Sequence, residues 1–383
     1  MSVQEEITDL GNLYTAMRKC KKGVGWKKSV IDYTQHGLHR LTLLKQDIDR
    51  GTYRPIEGYK FTIYEPKKRD IISTRFRDRV PQRSLVDNYL YGEVCRHFID
   101  ENCACQTGKG TDYARNLLKE NLRKFYREYG TNGYVLKLDV KSFFGSIDHQ
   151  VAKELMRGMI RDDWAYQMVV DEIDCHSATV GLGLGSQLNQ LIALAILNDL
   201  DHILTEQYGA RFYVRYMDDI IILCQSREAL VAMRAAAEEE LARKKLRLSE
   251  KKTQIAPITQ CIHFLGFSYL LHDTGRVTMK VLPEKISKRR RKLTRQADLV
   301  LKGKISLEQF IAFNRGSRDH LTKGTRSTLC KMDKFYNSKL EEIKMQTELI
   351  ELRKEVEELT AAVKALEAEV ARLKMEVEGN GSK

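Results

Sequence analysis

The sequence predicts an α+β fold that ends in a C-terminal coiled coil, and three observations support this prediction. Apolar residues recur at helical spacing through residues 1–58, and the stretch from Arg227 to Lys245, rich in Ala and Glu, is also helical in pattern. Short β-prone runs that flank polar turns lie between the helical stretches. From residue 345 onward, apolar residues repeat at heptad spacing.

Composition and charge indicate a globular protein with a polyanionic partner. The 383 residues are enough for two or three domains, and 42% hydrophobic with 31% charged residues exclude a disordered chain. The net charge is +13, and nine acidic and six basic residues after residue 344 leave the rest of the chain at +16. This concentration favours nucleic acid as the partner over a basic surface that serves solubility alone.

The eight cysteines are scattered, with no Cys-x-x-Cys pair and no zinc-site spacing. We therefore expect reduced, mostly buried thiols, as in a cytosolic protein, and a cytoplasmic location. No apolar run is long enough to span a bilayer, and the N-terminus has no signal-peptide pattern. The sequence predicts no membrane partner.

Two β-prone segments carry carboxylates at their ends. Phe212–Val214 and Ile220–Leu223 flank the tip Tyr216–Asp219, which predicts a tight hairpin, and the apolar strand Tyr134–Val140 ends at Asp139. Burying such carboxylates without a positive partner would be costly. The partner could be a Lys or Arg of this basic chain, although Mg²⁺ bound to phosphates suits hard oxygen ligands better. Solvated turns are the alternative.

Three further segments have a polar or glycine-rich pattern. Phe61–Ile72 predicts two short strands around a basic turn, Glu65–Arg69, which could reach over a triphosphate or be an ordinary charged turn. Gly181–Gln190 is glycine-rich, which allows close backbone approach by a ligand, and it continues into the apolar helix Leu191–Ile203. The basic run Lys288–Lys292 lies on a predicted helix, either as a solvated face or as one that tracks phosphates.

The C-terminal segment carries a narrow apolar seam over four heptads. One heptad position holds valines and a leucine and the other holds leucines and a methionine, in the two sets Leu349, Val356, Val363, Val370, Val377 and Met345, Leu352, Leu359, Leu366, Leu373. Val at a with Leu at d favours a parallel homo-oligomer, a dimer or a trimer. The alternative is a helix packed on the core of its own chain. Residues 379–383 are expected to be a flexible tail.

The order and spacing of these motifs resemble the palm of a reverse transcriptase over about Phe61 to Phe267, with a looser match through residue 340. Leu138–His149 is similar to the first catalytic motif of bacterial reverse transcriptases, and Tyr216–Asp219 matches the family's signature in full. Lys252-Thr253 and Phe264–Phe267 take the places of the two motifs that follow. The resemblance implies a right-hand polymerase with fingers, a palm built on an antiparallel sheet, and a helical thumb.

The resemblance also implies domain boundaries. They are 1–130 for the N-terminal helices and fingers, 131–275 for the palm with about 150–195 in the fingers, 276–344 for the thumb, 345–378 for the coiled-coil oligomerisation helix and 379–383 for the tail.

Catalytic and metal-binding residues follow from the same resemblance. In the family, two divalent ions roughly 3.5–4 Å apart activate the primer hydroxyl and neutralise the leaving pyrophosphate. The resemblance assigns Asp139 and Asp218 as bridging ligands, Asp219 beside them, and the backbone carbonyl of Val140 to the ion on the triphosphate side. The implied cofactor is two Mg²⁺ ions, with Mn²⁺ as a substitute.

Substrate contacts are implied in the same way. Phe144 matches the steric gate that excludes a 2′-hydroxyl, with core packing as the alternative, and Lys252 resembles the lysine proposed to protonate pyrophosphate. The residues implied for dNTP binding are Lys67, Arg69, Phe143, Phe144, Gln187 and Lys252, with Lys67 or Lys68 equally suitable by position. Those implied for template and primer are Arg79, Tyr216, Met217, Phe264, Leu265, Gly266, Lys288, Arg289, Arg290 and Arg291.

The glycine-rich motif departs from the pattern Gln-Gly-x-x-x-Ser-Pro of many reverse transcriptases. Leu184 replaces the Gln, and Asn189-Gln190 replaces the final pair. The motif is similar to that of reverse transcriptases from diversity-generating retroelements and related phage-defence systems, although Ser is usual there at the position of Asn189. Losing a polar side chain near the template base predicts low fidelity.

The predicted function is RNA-directed DNA synthesis in a bacterial or phage retroelement or antiphage defence system. The implied partners are an RNA template, a DNA or RNA primer, dNTPs, a dedicated noncoding RNA and an accessory protein. Two alternatives stay open. One is a catalytically silent RNA-binding scaffold with the polymerase fold, and the other is template-independent or protein-primed DNA synthesis.

Overall fold

The structure is a computed structural model that describes residues 2–64, 69–175, 179–322 and 326–380, without the side chains of 69, 70, 316–322, 326 and 373–380. The chain divides into two compact units. The first holds the residues up to Leu265 together with Leu270–Val277, and the second holds Gly266–Tyr269 and the residues from Thr278 onward.

Four helices begin the first unit: α1 (Val3–Thr8), α2 (Leu10–Lys21), α3 (Lys28–Gln35) and α4 (Gly37–Asp49). Ser2 starts α1 with a reciprocal capping box to Glu5, and the Asp9 carboxylate caps α2 by accepting from the amide of Asn12. Helix α2 buries Leu13 and Met17. These helices confirm the helical prediction up to Asp49, whereas residues 50–58 are turn and irregular structure before β1.

A hairpin and further helices follow: β1 (Tyr59–Ile63), β2 (Arg69–Ser73), α5 (Phe76–Leu85), α6 (Tyr91–Cys95) and α7 (Thr111–Tyr129), with a π-helical turn at Val86–Leu90 between α5 and α6. Strands β1 and β2 pair antiparallel with Phe61 opposite Ile71, as the sequence predicts. Helix α5 packs along α2.

A four-stranded antiparallel sheet lies at the centre of the first unit, in the order β4-β5-β3-β6. Its strands are β3 (Tyr134–Asp139), β4 (Phe212–Tyr216), β5 (Asp219–Cys224) and β6 (Gln254–Pro257). The inner strands β3 and β5 bury apolar side chains that are 0–1% exposed, among them Leu136, Leu138, Ile220 and Ile222. The predicted hairpin around Met217 and the predicted strand before Val140 are both confirmed.

The helices between and after these strands are α8 (Phe143–Ser146), α9 (His149–Met159), α10 (Asp163–Asp174), α11 (Gln187–Ile196), α12 (Asn198–His202) and α13 (Arg227–Arg243), with a π-helical turn at Ile203–Gln207. Ser186 caps α11 through its hydroxyl, which accepts from the amide of Leu188. After its polar first turn, helix α11 is apolar and buried from Leu191 to Ile196, so it anchors the glycine-rich segment that precedes it.

The last elements are β7 (Ile262–Phe264), β8 (Phe267–Leu271), β9 (Val277–Val281), α14 (Pro283–Leu301), α15 (Leu307–Thr322) and α16 (Arg326–Asn380). The three strands form one sheet in chain order, and the division between the units passes through it. The predicted thumb segment begins with strand β9, and most of its described residues after that lie in helices α14, α15 and the start of α16. Helix α16 extends to Asn380, two residues into the predicted flexible tail, and 381–383 lie outside the described residues.

The predicted long C-terminal helix is confirmed, and its apolar seam is exposed. The exposed fractions of the seam residues run from 48% to 67%, for Met345, Leu349, Leu352, Val356, Leu359, Val363, Leu366 and Val370. Over this described stretch the seam is not packed on the core of the chain, which was the alternative interpretation. Its pairing into a coiled coil stays a prediction.

All eight cysteines are free thiols, but the expectation that most are buried was wrong, because Cys103 alone is fully buried and Cys261 and Cys330 are exposed. Within the described ranges, no helix combines the length and apolarity that a bilayer span requires.

Candidate active site

The carboxylates of the two predicted catalytic motifs meet at one end of the central sheet. Asp139 is the last residue of β3, Asp219 is the first of β5, and the strand register pairs them directly. Side chains opposite each other on paired strands have Cβ atoms about 4.5–5.5 Å apart. Asp218 lies in the two-residue turn before β5, where Met217 adopts a positive φ of 55°. The strand pairing therefore brings Asp139 next to Asp219, and so close to the Asp218-Asp219 pair, which lies about 80 positions further along the sequence.

Two lysines neutralise the paired carboxylates. The Lys252 ammonium donates to both oxygens of Asp139, at 2.7 and 2.6 Å. Lys137, on the catalytic strand itself, has its Nζ 3.2 Å from Oδ1 of Asp219 and donates to the carbonyl of His263 at 2.6 Å. Burial raises the pKa of the Asp219 carboxyl to about 6, and the Lys137 charge opposes that rise. Both carboxylates thus lie in an environment that favours a cation beside them.

The donor atoms suit a divalent cation. Oδ1 of Asp219 is buried and accepts no hydrogen bond in the structure, although the Lys137 charge is near. Val140 and Leu248 form an isolated β-bridge, whose hydrogen bonds involve the amide of Lys141 and the carbonyl of Asp139. The Val140 carbonyl takes part in neither of these hydrogen bonds. Asp139 and Asp219 supply hard oxygen donors, with lysine as the counter-charge. Within the part of the chain that the structure describes, no three His, Cys, Asp or Glu side chains are close enough to hold a metal ion together.

A buried ion pair holds the turn that carries Asp218. Arg215 and Asp201 are both fully buried, and the Nε of Arg215 donates to Oδ1 of Asp201 at 2.6 Å. Tyr213 donates to the same carboxylate oxygen at 2.6 Å. The Nη1 of Arg215 then donates to the carbonyl of Met217 at 3.1 Å. Because Arg215 is fixed on both sides, it fixes the left-handed turn between β4 and β5.

The two phenylalanines after the catalytic strand have different surroundings. Phe143 is 3% exposed in the core, and its ring centroid lies 5.7 Å from that of Phe144 in an edge-on arrangement. Phe144 is half-buried. Its carbonyl accepts a hydrogen bond from the amide of Leu182 at 2.9 Å. This bond ties the glycine-rich segment to α8, the short helix that carries Phe143 and Phe144, which we call the Phe144 corner. Of these two predicted residues, Phe144 is the one with an accessible ring.

The other end of the glycine-rich segment lies against Arg79. Gly185 has a φ of +95°, and a Cβ there would lie 3.0 Å from the Arg79 guanidinium, so glycine serves both the backbone conformation and the close approach. Arg79 donates to the carbonyl of Thr74 at 3.0 Å and to the hydroxyl of Ser73 at 2.9 Å. The segment is therefore held between the Phe144 corner and the end of β2.

A buried polar network explains the unusual Asn189. Its amide donates to Glu172 at 3.1 Å and to the carbonyl of Gly183 at 2.9 Å. Gln82 donates to the other oxygen of Glu172, and Ser186 donates to Gln82 at 2.6 Å. Burial raises the pKa of the Glu172 carboxyl to about 7. Asn189 thus stabilises the glycine-rich turn through hydrogen bonds on its buried side, together with Gln82 and Glu172.

The remaining predicted residues have varied positions. Tyr216, Met217 and Gln187 are half-buried, and Phe264 is 1% exposed. Leu265 and Gly266 have positive φ values of 47° and 84°, which makes a sharp turn after β7. Lys67 lies outside the described residues, and only the backbone of Arg69 is described, in β2.

The basic run on α14 has partners within the second unit. Arg289 donates to the carbonyl of Asn314 at 3.4 Å, and the Arg290 guanidinium lies 5.3 Å from the ring centroid of Phe335. Lys288 and Arg291 are exposed.

The sequence analysis did not identify Lys137, Asp201 or Arg215. Lys137 and Arg215 each interrupt an otherwise apolar strand, in Val-Leu-Lys-Leu-Asp and Phe-Tyr-Val-Arg-Tyr. Each strand leads to a predicted catalytic carboxylate, so a cation within it could have indicated a buried charge that needs a partner. Asp201 had no such signal, because only the tertiary fold brings α12 to β4.

Comparison with known proteins gives one family and a set of distant structures. The sequence profile described as "Reverse transcriptase (RNA-dependent DNA polymerase)" matches residues 66–269, more than half of the chain. No curated protein sequence matches the chain significantly.

A search of solved structures finds partial similarity to the apo telomerase of Candida tropicalis, at 12% identity and a TM-score of 0.44, covering 57% of this chain and 47% of that one. Another is the telomerase of Candida albicans in complex with the TWJ fragment of telomeric RNA, at 12% identity and a TM-score of 0.45, covering 75% and 55%. This chain spans about half the length of these structures.

The profile match covers the hairpin at Met217, the catalytic strand and the glycine-rich segment, which are the elements on which the resemblance rests. It confirms the predicted α+β fold class. The chain therefore belongs to the reverse transcriptase family of RNA-dependent DNA polymerases.

Proposed function

We propose that the protein is an RNA-directed DNA polymerase that adds dNTPs to a primer 3′-hydroxyl by two-metal phosphoryl transfer. The observation that carries this proposal is the register pair of Asp139 and Asp219, with Asp218 in the adjoining turn. Buried carboxylates are retained at a sheet end only where cations compensate them. A polymerase needs such a position for the reacting phosphates and the primer end.

Asp139, Asp218, Asp219 and the Val140 carbonyl would hold two Mg²⁺ ions, with Mn²⁺ as a substitute. When bound, such ions lower the pKa of the attacking hydroxyl and stabilise charge on the leaving pyrophosphate. Lys252 would then release Asp139 and donate to the pyrophosphate. Its side chain is 51% exposed, so this change would disturb little packing. Lys137 would stay with Asp219 and keep that carboxylate oriented.

Selection of the nucleotide would fall to residues around the Phe144 corner. The accessible Phe144 ring would exclude a 2′-hydroxyl, with Phe143 supporting it from the core. Lys67 and Arg69 would hold the triphosphate from the tip of the β1–β2 hairpin. Gln187, at the start of α11, would contact the nucleotide.

Template and primer would be held by residues of each unit. Arg79, Tyr216 and Met217 would contact the template or the primer in the first unit, as would Phe264 and Leu265. Gly266 and the basic run from Lys288 to Arg291 would serve the duplex in the second unit. The predicted domain boundaries follow the same proposal, with fingers to 130, palm to 275 and thumb to 344.

Low fidelity would follow from Leu184 and the network around Asn189. Leu184 supplies no polar group at the position where many relatives have Gln, and Asn189 is directed into the core. Discrimination against a mispair would then depend on shape alone. A misincorporation rate no higher than that of a Gln-containing relative would contradict this part of the proposal.

The similarity of the glycine-rich motif supports a place among bacterial reverse transcriptases of retroelement or antiphage defence type. Such an enzyme would copy a dedicated noncoding RNA, with help from an accessory protein. The exposed seam of α16 supports a homo-oligomer.

Primer extension by the purified protein on an RNA template tests the proposal. Asp139→Asn should lower the extension rate by at least about a thousandfold, because a neutral amide removes a bridging ligand. Asp100→Asn is the matched control, since Asp100 has a side chain that is 95% exposed, away from the strand register of Asp139. Wild-type protein that binds RNA but extends no primer would establish the scaffold alternative, and undiminished synthesis by Asp139→Asn would overturn the proposed mechanism.

A further inference from the structure

A basic cavity of about 420 Å³ lies between α2, α5 and the glycine-rich turn. Its lining includes four cationic side chains and no acidic one, with Lys19 from α2, Lys22 directly after α2, and Arg79 and Arg83 from α5. We propose that this cavity binds successive phosphates of the single-stranded template just before the template reaches the glycine-rich turn. The inference rests on the proposed RNA-directed synthesis and extends it to a contact that the family resemblance does not assign to α2.

The spacing of the four cations suits a phosphodiester backbone. Arg79 and Arg83 are four residues apart on α5, a spacing that puts both on one helix face with Cβ atoms about 5–6 Å apart. Lys19 lies in the last turn of α2, and Lys22 is the residue that ends this helix. The cavity therefore has cations on two sides, and successive phosphates can lie between them.

The charge of the cavity is only partly compensated within the chain. Lys19 and Arg83 both contact the same oxygen of Asp87, at 2.9 and 2.8 Å, so one carboxylate serves two cations. The Lys19 side chain remains 47% exposed and the Arg83 side chain 29% exposed. Lys22 is exposed as well. An external anion would complete the neutralisation.

Arg79 makes the stronger argument for an anion. Its guanidinium is half-buried and donates to a backbone carbonyl and a hydroxyl, Thr74 and Ser73. Among the residues that the structure describes, no carboxylate lies within ion-pair distance of Arg79. Burial also lowers the pKa of the guanidinium from its ordinary value. A desolvated cation without a counter-charge is costly, and a phosphate in the cavity would remove that cost.

The position of the cavity favours the template strand. Gly185, Ser186 and Gln187 line it, and the same glycine-rich segment reaches the Phe144 corner through Leu182. Three residues of extended chain span at most about 10 Å, so the cavity lies within one or two nucleotides of that corner. A template that pairs with a nucleotide beside Phe144 would carry its next phosphates past Arg79. The incoming triphosphate shares the same chemistry, and the experiment must distinguish the two sources.

Lys22→Gln is the most informative variant, because Lys22 is exposed and its loss should not affect folding. Lys21→Gln is the matched control, because this substitution removes the same charge at the neighbouring position. Lys21 lines a different cavity, next to Arg18 and His36. The probe is a fluorescein-labelled primer annealed to RNA templates with 5′ overhangs of zero to six nucleotides. Anisotropy is measured without dNTPs over a range of KCl concentrations.

We expect Lys22→Gln to weaken binding by about two- to fivefold and to lower the salt slope by about 0.7, as for one phosphate contact on a single strand. The deficit should appear with long overhangs and vanish without an overhang, and Lys21→Gln should bind like wild type. A single neutral methylphosphonate in the overhang should weaken wild-type binding, and Lys22→Gln should show no further loss at that same linkage.

Several results would overturn the inference. They are an equal deficit without any overhang, an equal deficit in Lys21→Gln, or additive losses for Lys22→Gln and every methylphosphonate position. A higher KM for dNTP with unchanged template binding would assign the cavity to the triphosphate instead. Binding is measured without synthesis. An inactive wild-type enzyme would therefore refute the proposed function, and the dependence of binding on overhang length could still be interpreted.

Discussion

The central sheet and the C-terminal helix differ in the kind of side chain that each one buries or exposes. The sheet buries charged groups and supplies their partners from the same chain, as with Arg215 and Asp201 at 0% exposure. Helix α16 exposes apolar groups instead, with Leu359 67% and Val363 53% exposed. The chain thus compensates the buried ion pair of its central sheet, whereas the described part of its apolar seam is left uncovered.

The difference indicates where each region requires something from outside. At the sheet end, lysines already balance two carboxylates, so the partners that we propose for this site, a cation, a nucleotide and nucleic acid, would have to displace or share existing contacts. At the seam, a heptad repeat without cover is satisfied most directly by a second copy of itself. Changes in the sheet should therefore affect stability or chemistry, whereas changes in the seam should affect association. The following predictions test this separation.

The largest effect is expected for Arg215→Met. The substitution leaves the Asp201 carboxylate buried without its cation, which costs about 3–5 kcal/mol in the free energy of unfolding. It also removes the donor to the Met217 carbonyl, so activity should fall with stability. Urea unfolding measures the first effect. The double variant Arg215→Met/Asp201→Leu should recover part of the stability, and a loss below about 1 kcal/mol in the single variant would contradict the assigned role.

Glu172 predicts a dependence of stability on pH. Burial raises the pKa of its carboxyl to about 7, whereas an unfolded Glu has a pKa of about 4.3. Between these values the folded chain keeps a proton that the unfolded chain has lost, so stability falls as the pH rises through this window. Asn189, Gln82 and Cys175 donate to this carboxyl, and the Asp78 charge repels it.

The expected contribution of Glu172 is roughly 2–3 kcal/mol lost between pH 5 and pH 8. Glu172→Gln should show a flatter profile, because an amide does not titrate. Urea unfolding at several pH values, with wild type and variant in parallel, gives the comparison. Identical slopes for the two proteins would show that Glu172 does not govern this pH range.

Lys137→Met should lower the primer-extension rate by about 10- to 100-fold, as for one charge that positions a reacting group. The ammonium lies between Asp219 and the carbonyl of His263, so its loss frees the carboxylate to reorient. Lys137→Arg should restore part of the rate. Lys141→Met, at an exposed position after the same strand, is the control, and equal effects at both positions would mean that general charge, not Asp219, is responsible.

The smallest effect on the folded chain is expected in the seam. Leu359→Lys places a charge at an exposed d position, which should shift sedimentation toward monomer while changing the stability of the single chain by less than about 0.5 kcal/mol. Ala361→Lys adds the same charge on the outer face of the helix and should leave the association unchanged. A monomeric wild type, or equal effects of the two variants, would contradict self-association through this seam.

Sequence reasoning succeeded where the pattern is local. The hairpin at Met217, the strand that ends at Asp139 and the long C-terminal helix follow from alternation, turn chemistry and heptads. It failed for Lys137 and Arg215, because their partners lie on other elements. The α10 carboxylate Glu172 explains Asn189 only after folding brings α10 and α11 together.

The charge balance at the carboxylates was left open by the sequence. Mg²⁺ and a basic side chain were both considered as partners, and Lys252 contacts Asp139, while the Mg²⁺ ions stay a prediction. This pairing is short in space and distant in sequence, 113 residues apart. A motif therefore identifies the residues of a site, whereas its charge balance has to be read from the fold.

The most direct test of the whole account is the sequence of the DNA made on a defined RNA template by wild-type protein and by Asp218→Asn. Wild-type protein should make DNA complementary to the template, and Asp218→Asn should make no product. DNA unrelated to the template, or complementary DNA from Asp218→Asn, would contradict it.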